Sequence, residues 1–138
     1  MNKFSYYSGL IREHLELLNL EGHPDELYQP VRYILSLSAK RMRPTLVLMS
    51  CDMFNGDVSS AIKPAIGIEI FHNFTLLHDD IMDNAPLRRA HPTVHEKWNR
   101  NIAILAGDAM FVKAYEMIVS VDKEIIHEVL DVFNGTAI

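Results

Sequence analysis

Asp79, Asp80 and Asp83 crowd one short stretch, and two arginines follow them in the run His78-Asp79-Asp80-Ile81-Met82-Asp83-Asn84-Ala85-Pro86-Leu87-Arg88-Arg89. On a helix, Asp79 and Asp83 share one face, with about 6 Å between their Cβ atoms. Two carboxylates that close repel unless a cation lies between them. A hard divalent ion that takes oxygen ligands, Mg²⁺ above all, meets that need and completes its shell with waters and substrate phosphates. The arginines suit the same phosphates, because a planar guanidinium grips an oxyanion through two parallel hydrogen bonds. The chemistry indicated is Mg²⁺-assisted work on a diphosphate. Acids are common at solvated helix ends, but these sit at the C-terminal end of their helix. There the macrodipole makes each unfavourable by a few tenths to about 1 kcal/mol. A bound cation would offset that placement.

A second basic group, Lys40, Arg41 and Arg43, lies just before Pro44. Such a trio is ordinarily a solvated loop. Here it precedes a predicted helix, whose free N–H groups and positive dipole end favour an anion. Two basic clusters, one beside the acids and one remote, suggest two phosphate-bearing substrates. His72 and His78 lie on an apolar helix and by pattern alone read as core histidines. Phe74 and Thr75 precede Asp79 by five and four residues, about 6–7.5 Å along a helix. They read either as plain core or as the wall of a pocket running down from the metal.

The elements that must carry these groups are helical. Phe4, Tyr7, Leu10, Ile11, His14, Leu15 and Leu18 recur at helical spacing and predict a helix over about 4–20. Gly22-His23-Pro24 breaks it. Pro30 suits the first turn of a second helix, about 30–38. Pro44 opens a third, about 44–54, closed by Asn55-Gly56. Ser59 or Ser60 caps a fourth, about 60–83, apolar almost throughout and therefore central. Residues 84–92 form a polar loop. Thr93-Val94-His95-Glu96 has the form of a capping box and starts a short helix. A further helix spans about 102–121, and Asp122 caps the last. No strand-like alternation of useful length occurs. The fold class is all-α, a bundle of long buried helices.

The 138 residues are one domain's length, and 49% are hydrophobic, enough for a real core. A net charge of -5, with no Lys/Arg run long enough to offset it, argues against a nucleic-acid binder. The lone Cys51 reads as a packing residue and allows no disulfide within the chain. No apolar signal region opens the sequence, and no 18-residue apolar run occurs, so a soluble cytoplasmic protein with no stable membrane insertion is expected.

Taken together, the stretch from Glu69 to Arg89 resembles the first aspartate-rich region of the polyprenyl synthetase family, the trans-isoprenyl diphosphate synthases. Lys40-Arg41-Met42-Arg43-Pro44 resembles the family's Gly-Gly-Lys-Arg-x-Arg-Pro motif. The resemblance implies the N-terminal portion of an isoprenoid-synthase-type bundle over residues 1–138. By it, Asp79 and Asp83 would hold Mg²⁺ on an allylic diphosphate, with Asp80 beside them, and Arg88 would bind that diphosphate. Lys40, Arg43, His72 and Arg89 would bind isopentenyl diphosphate, with Arg41 near it. The implied reaction ionises the allylic diphosphate to a carbocation, which the isopentenyl double bond attacks before a proton is lost. Phe74 and Thr75 would set a short product, C15 to C20, with Phe74 as the stop, and the full-length parent would be a homodimer.

Three departures from the family pattern stand out. Ser38-Ala39 replaces two glycines and Ala90 replaces another, so a positive φ at any of them would be strained. The family's second aspartate-rich motif has no counterpart here: Asp108, Asp122 and Asp131 are isolated. The chain therefore reads as the N-terminal part of a synthase, inactive alone. Two other readings remain: a non-catalytic fragment or partner subunit, and a metal-dependent phosphohydrolase built on His72, His78, Asp79 and Asp83.

Overall fold

A computed structural model describes residues 2–138. The axis of the fold is α4 (Val58–Met82), 25 residues and so about 37 Å long. Before it come α1 (Lys3–Glu16), α2 (Asp25–Ser36) and α3 (Met42–Met53). After it come β1 (Leu87–Arg88), β2 (His91–Pro92), the short α5 (Val94–Lys97), α6 (Arg100–Ile118) and α7 (Ile126–Ala137). The all-α expectation holds, with one two-residue hairpin inserted in what reads from sequence as a plain loop. No helix among the described residues is long and apolar enough to cross a membrane.

The pairing of α4 with α6 is the most extensive in the molecule. It is close where glycines stand: Gly67 on α4 lies against the Ala114 carbonyl and Ile118 of α6, and Gly107 on α6 lies against the His78 ring of α4. Ile11 from α1, Ile34 from α2, Leu48 from α3 and Ile66, Ile70 and Leu77 from α4 complete one core.

Several helix ends differ from the sequence reading. The second helix begins at Asp25, not near Pro30, and Pro30 lies buried inside it. Asp25 and Glu26 in its first turn suit the helix dipole. The single hydrogen bond lost at Pro30 is outweighed by the buried face of Val31, Ile34 and Leu35. The fourth helix is capped by Asp57, whose carboxylate accepts from the Ser59 N–H at 3.0 Å, rather than by Ser59 or Ser60. The capping box at Thr93 does not form: its hydroxyl donates instead to the Ala85 carbonyl at 2.8 Å and ties the preceding loop. Asn99 caps α6 through Ile102 N–H. Asp122 gives α7 only a backbone turn, its carbonyl accepting from Ile125 N–H. Cys51 is half-buried beside Gly56.

The glycine at the α4–α6 crossing is testable. A Cβ at Gly67 would lie 2.8 Å from Ile118 Cγ1 and 2.9 Å from the Ala114 carbonyl oxygen, and the backbone atom cannot rotate away. Gly67→Ala should destabilise the fold by about 1–3 kcal/mol in urea denaturation. An unchanged midpoint would show that the helices separate without cost.

Candidate functional site

The three aspartates divide between two environments. Asp80 faces inward, its side chain only 4% exposed, and accepts from Arg88 Nε and Nη2 at 2.7 Å each, a bidentate pair. That contact is the first cause raising the proton affinity of Arg88, with burial opposing it and Asp79 and Asp83 adding to it. Asp79 and Asp83 point the other way and are exposed. They sit one helical turn apart, Asp83 N–H donating to the Asp79 carbonyl at 2.8 Å. Neither carboxylate has an ion-pair partner among the described residues. A hard cation fits these two carboxylates. Because Asp80 is turned away to Arg88, no three acidic, histidine or cysteine side chains among the described residues converge on one point. Such an ion would draw its remaining ligands from phosphate and water.

The arginines are held by a strained turn. Leu87 pairs with Pro92 and Arg88 with His91, leaving Arg89 and Ala90 as a two-residue loop. Their φ values, 53° and 64°, are both left-handed, which is a type I′ turn. Neither residue is a glycine, so the concern raised by Ala90 is realised. The one raised by Ser38-Ala39 is not: the positive φ in that loop falls at Arg41, 49°. The hairpin is pinned from several sides. Tyr33 OH donates to the Pro92 carbonyl at 2.7 Å, and Arg100 Nη2 donates to the Ile81 carbonyl and Asn84 Oδ1, each at 2.7 Å.

The second cluster reaches the same place. Arg43, exposed on the first turn of α3, donates through Nη1 to His72 Nε2 at 3.2 Å. Burial first, and then Arg43, hold the His72 pKa below the usual histidine value. Arg89 and Arg88 act on His72 in the same direction. Burial and then Arg41 lower the proton affinity of Arg89, whose Nη1 lies 3.5 Å from the Leu37 carbonyl. Lys40 is exposed at the head of the same loop. Arg41, however, is buried and turned inward, donating to Glu69 Oε1 and to the Leu35 carbonyl at 2.5 Å each and to the Leu37 carbonyl at 3.0 Å. Its guanidinium is committed to the fold.

The histidine–aspartate set of a phosphohydrolase does not assemble. The ring of His78 packs against Gly107 and Phe74, with Nε2 3.3 Å from the Ile104 carbonyl, away from Asp79. A Cβ at position 107 would collide with that ring. The Phe74 ring packs in an aromatic cluster with α6, 5.2 Å from Phe111 and 5.5 Å from Phe71. Thr75, Phe71 and His72 border a groove of about 890 Å³ between α3, α4 and α7. Sequence reasoning missed Glu69, Asn73, Tyr33 and Arg100. For Glu69 and Asn73 a signal existed: with Ile66, Ile70, Leu77 and Asp80 they continue the buried stripe of α4.

The whole basic and acidic set lies within the stretch, residues 24–138, that matches the family model of the polyprenyl synthetases. The chain belongs to the polyprenyl synthetase family. It is 38% identical over 123 residues to a geranylgeranyl diphosphate synthase of Methanosarcina mazei, covering 89% of this chain and 37% of that one. Its fold superposes on a crystal structure of a geranylgeranyl pyrophosphate synthase with a TM-score of 0.93 at 46% identity, covering 99% of this chain and 42% of the other. The geranylgeranyl pyrophosphate synthetase of Geoglobus acetivorans gives 0.88 at 37% identity, with 96% and 44% covered. The all-α bundle is thus that of polyprenyl synthetases, and the chain spans about two fifths of the length of these relatives.

Two outcomes follow from the strain and the titration at this site. Glycine tolerates a positive φ, so Ala90→Gly should stabilise the protein by about 1 kcal/mol, read as a rise in the urea midpoint. A fall would show that the loop is not left-handed in solution. For His72, the folded pKa lies below the unfolded value of about 6.5. The unfolded chain therefore binds the proton first. The stability that His72 contributes is present above about pH 6.5 and is lost as pH falls through and below it. Wild type should lose more stability than His72→Gln between pH 7.5 and 5, and equal losses would refute the assignment.

Proposed function

We propose that this chain carries the first aspartate motif and the diphosphate-binding cations of a trans-prenyltransferase. That enzyme joins an allylic diphosphate to isopentenyl diphosphate and makes a short-chain prenyl diphosphate, C15 to C20. The observation that carries the reading is the pair Asp79 and Asp83: two unengaged carboxylates one turn apart, on the helix whose intervening carboxylate fixes Arg88. The names of the relatives support the same class of reaction.

In this reading Asp79 and Asp83 hold Mg²⁺, which when bound neutralises the charge of the departing pyrophosphate. Arg88, locked by Asp80 through Nε and Nη2, keeps Nη1 to donate to the allylic diphosphate. Lys40, Arg43 and Arg89 bind the isopentenyl diphosphate. His72 accepts from Arg43 and so holds that guanidinium in place. These fixed cations stabilise negative charge where it develops on the leaving group, which is electrostatic catalysis. The prenyl chain lies along the groove bordered by Thr75 and Phe71, whose apolar walls keep water from the carbocation. The exposed Leu105 and Val112 on α6 support a homodimer of the whole enzyme.

Calorimetry with geranyl diphosphate tests the reading. Binding should require Mg²⁺, and Asp79→Ala or Asp83→Ala should weaken it about tenfold or more, since a charge-assisted contact is lost. Affinity unchanged by chelation of the metal would sink the metal assignment. With no second aspartate-rich cluster in these 138 residues, the chain incubated with geranyl diphosphate, labelled isopentenyl diphosphate and Mg²⁺ should give no extended product. Robust product would show that one motif suffices.

A further inference from the structure

Arg41 stands between two exposed cations in sequence, yet it is 7% exposed and points the opposite way. Its backbone is left-handed at φ 49°, as the N-cap of α3, a conformation strained for a residue with a Cβ. The side chain compensates by joining three parts of the fold: the end of α2 at Leu35, the loop at Leu37, and α4 at Glu69. A guanidinium does not lose its proton in proteins, so this burial requires an anion. Glu69, 2% exposed, supplies it. Asn73 in turn donates through Nδ2 to Glu69 Oε1 and to the Glu69 carbonyl at 2.8 Å each, fixing the carboxylate on its helix. Beyond the loop, Thr45 closes the first turn of α3, its hydroxyl donating to the Arg41 carbonyl at 2.7 Å.

We propose that Glu69 is a positioning residue for the diphosphate cations: by holding Arg41 inward at the left-handed cap of α3, it fixes Lys40 and Arg43 outward on either side. This deepens the diphosphate reading above and rests on it. Lys40 and Arg43 cannot converge on one anion if Arg41 swings out, because the loop would then lose its attachment to α2 and α4 together. The charge of Glu69 also reaches His72 and Arg89, opposing the loss of positive charge at both. Glu69 thus supports the isopentenyl-binding cluster without touching ligand.

The test uses the intact chain and inorganic pyrophosphate as probe, with affinity read by calorimetry. Arg43→Ala should weaken wild-type binding about tenfold, the value of a charge-assisted hydrogen bond. Glu69→Gln, folded by circular dichroism, should show a similar loss, and adding Arg43→Ala to it should change little further. Arg41→Gln removes the charge that Glu69 holds. It should behave as Glu69→Gln does and decides the matter if the Glu69 variant does not fold. Wild-type affinity in folded Glu69→Gln, or in folded Arg41→Gln, overturns the proposal. So does a loss that simply multiplies with that of Arg43→Ala, since a general loosening of the fold would act independently of Arg43. If wild type itself binds no pyrophosphate at millimolar concentration, the diphosphate reading fails and this role fails with it.

Discussion

Guanidinium groups gathered at one place repel, and the arrangement of this protein depends on two carboxylates that α4 buries beneath them. Asp80 takes Arg88 and Glu69 takes Arg41, with carboxylate side chains 4% and 3% exposed. Removing one partner of such a pair typically costs about 3–5 kcal/mol, because the other charge is left buried and alone. The same helix thus separates its acids by depth. Those facing the core anchor arginines, and those facing solvent, Asp79 and Asp83, keep their oxygens free. A one-residue slip of α4 would turn each side chain by about 100° and carry Asp80 away from Arg88 and Glu69 from Arg41, so the close fit of α4 to α6 at Gly67 bears directly on the site.

How much of this was legible in the sequence depended on whether a feature repeats at helical spacing. The long apolar run of the fourth helix and the acids at its end are periodic, and its bounds, 58–82, lie within two residues of the reading. The division of labour among the aspartates was also encoded, since Asn73, Leu77 and Asp80 follow the spacing of the core face. It takes the buried stripe, not the charge, to tell Asp80 from Asp79 and Asp83. Phe74 shows what helical spacing leaves open. Its place relative to Asp79 is right on the helix, but which neighbouring helix its ring meets depends on where α6 and Phe111 pack.

Local chemistry that runs against propensity was not legible. An Arg-Ala dipeptide carries none of the Asn-Gly signature of a type I′ turn, so residues 84–92 read as loop. The turn forms because Tyr33, Thr93, Arg100 and Asp80 hold the segment from outside. A proline within a helix and a threonine that hydrogen-bonds backward rather than forward are likewise tertiary choices, decided by what lies across from them.

The aromatic edge of that hairpin has a practical consequence. Trp98 is the single tryptophan of the chain. It packs edge-on to Tyr33 at 5.3 Å, and the Lys97 ammonium sits 3.9 Å over the Tyr33 ring. The same tyrosine grips the hairpin through Pro92. The indole is therefore a built-in fluorophore beside the segment that carries Arg88 and Arg89. Its emission reads the seating of that hairpin without any added label.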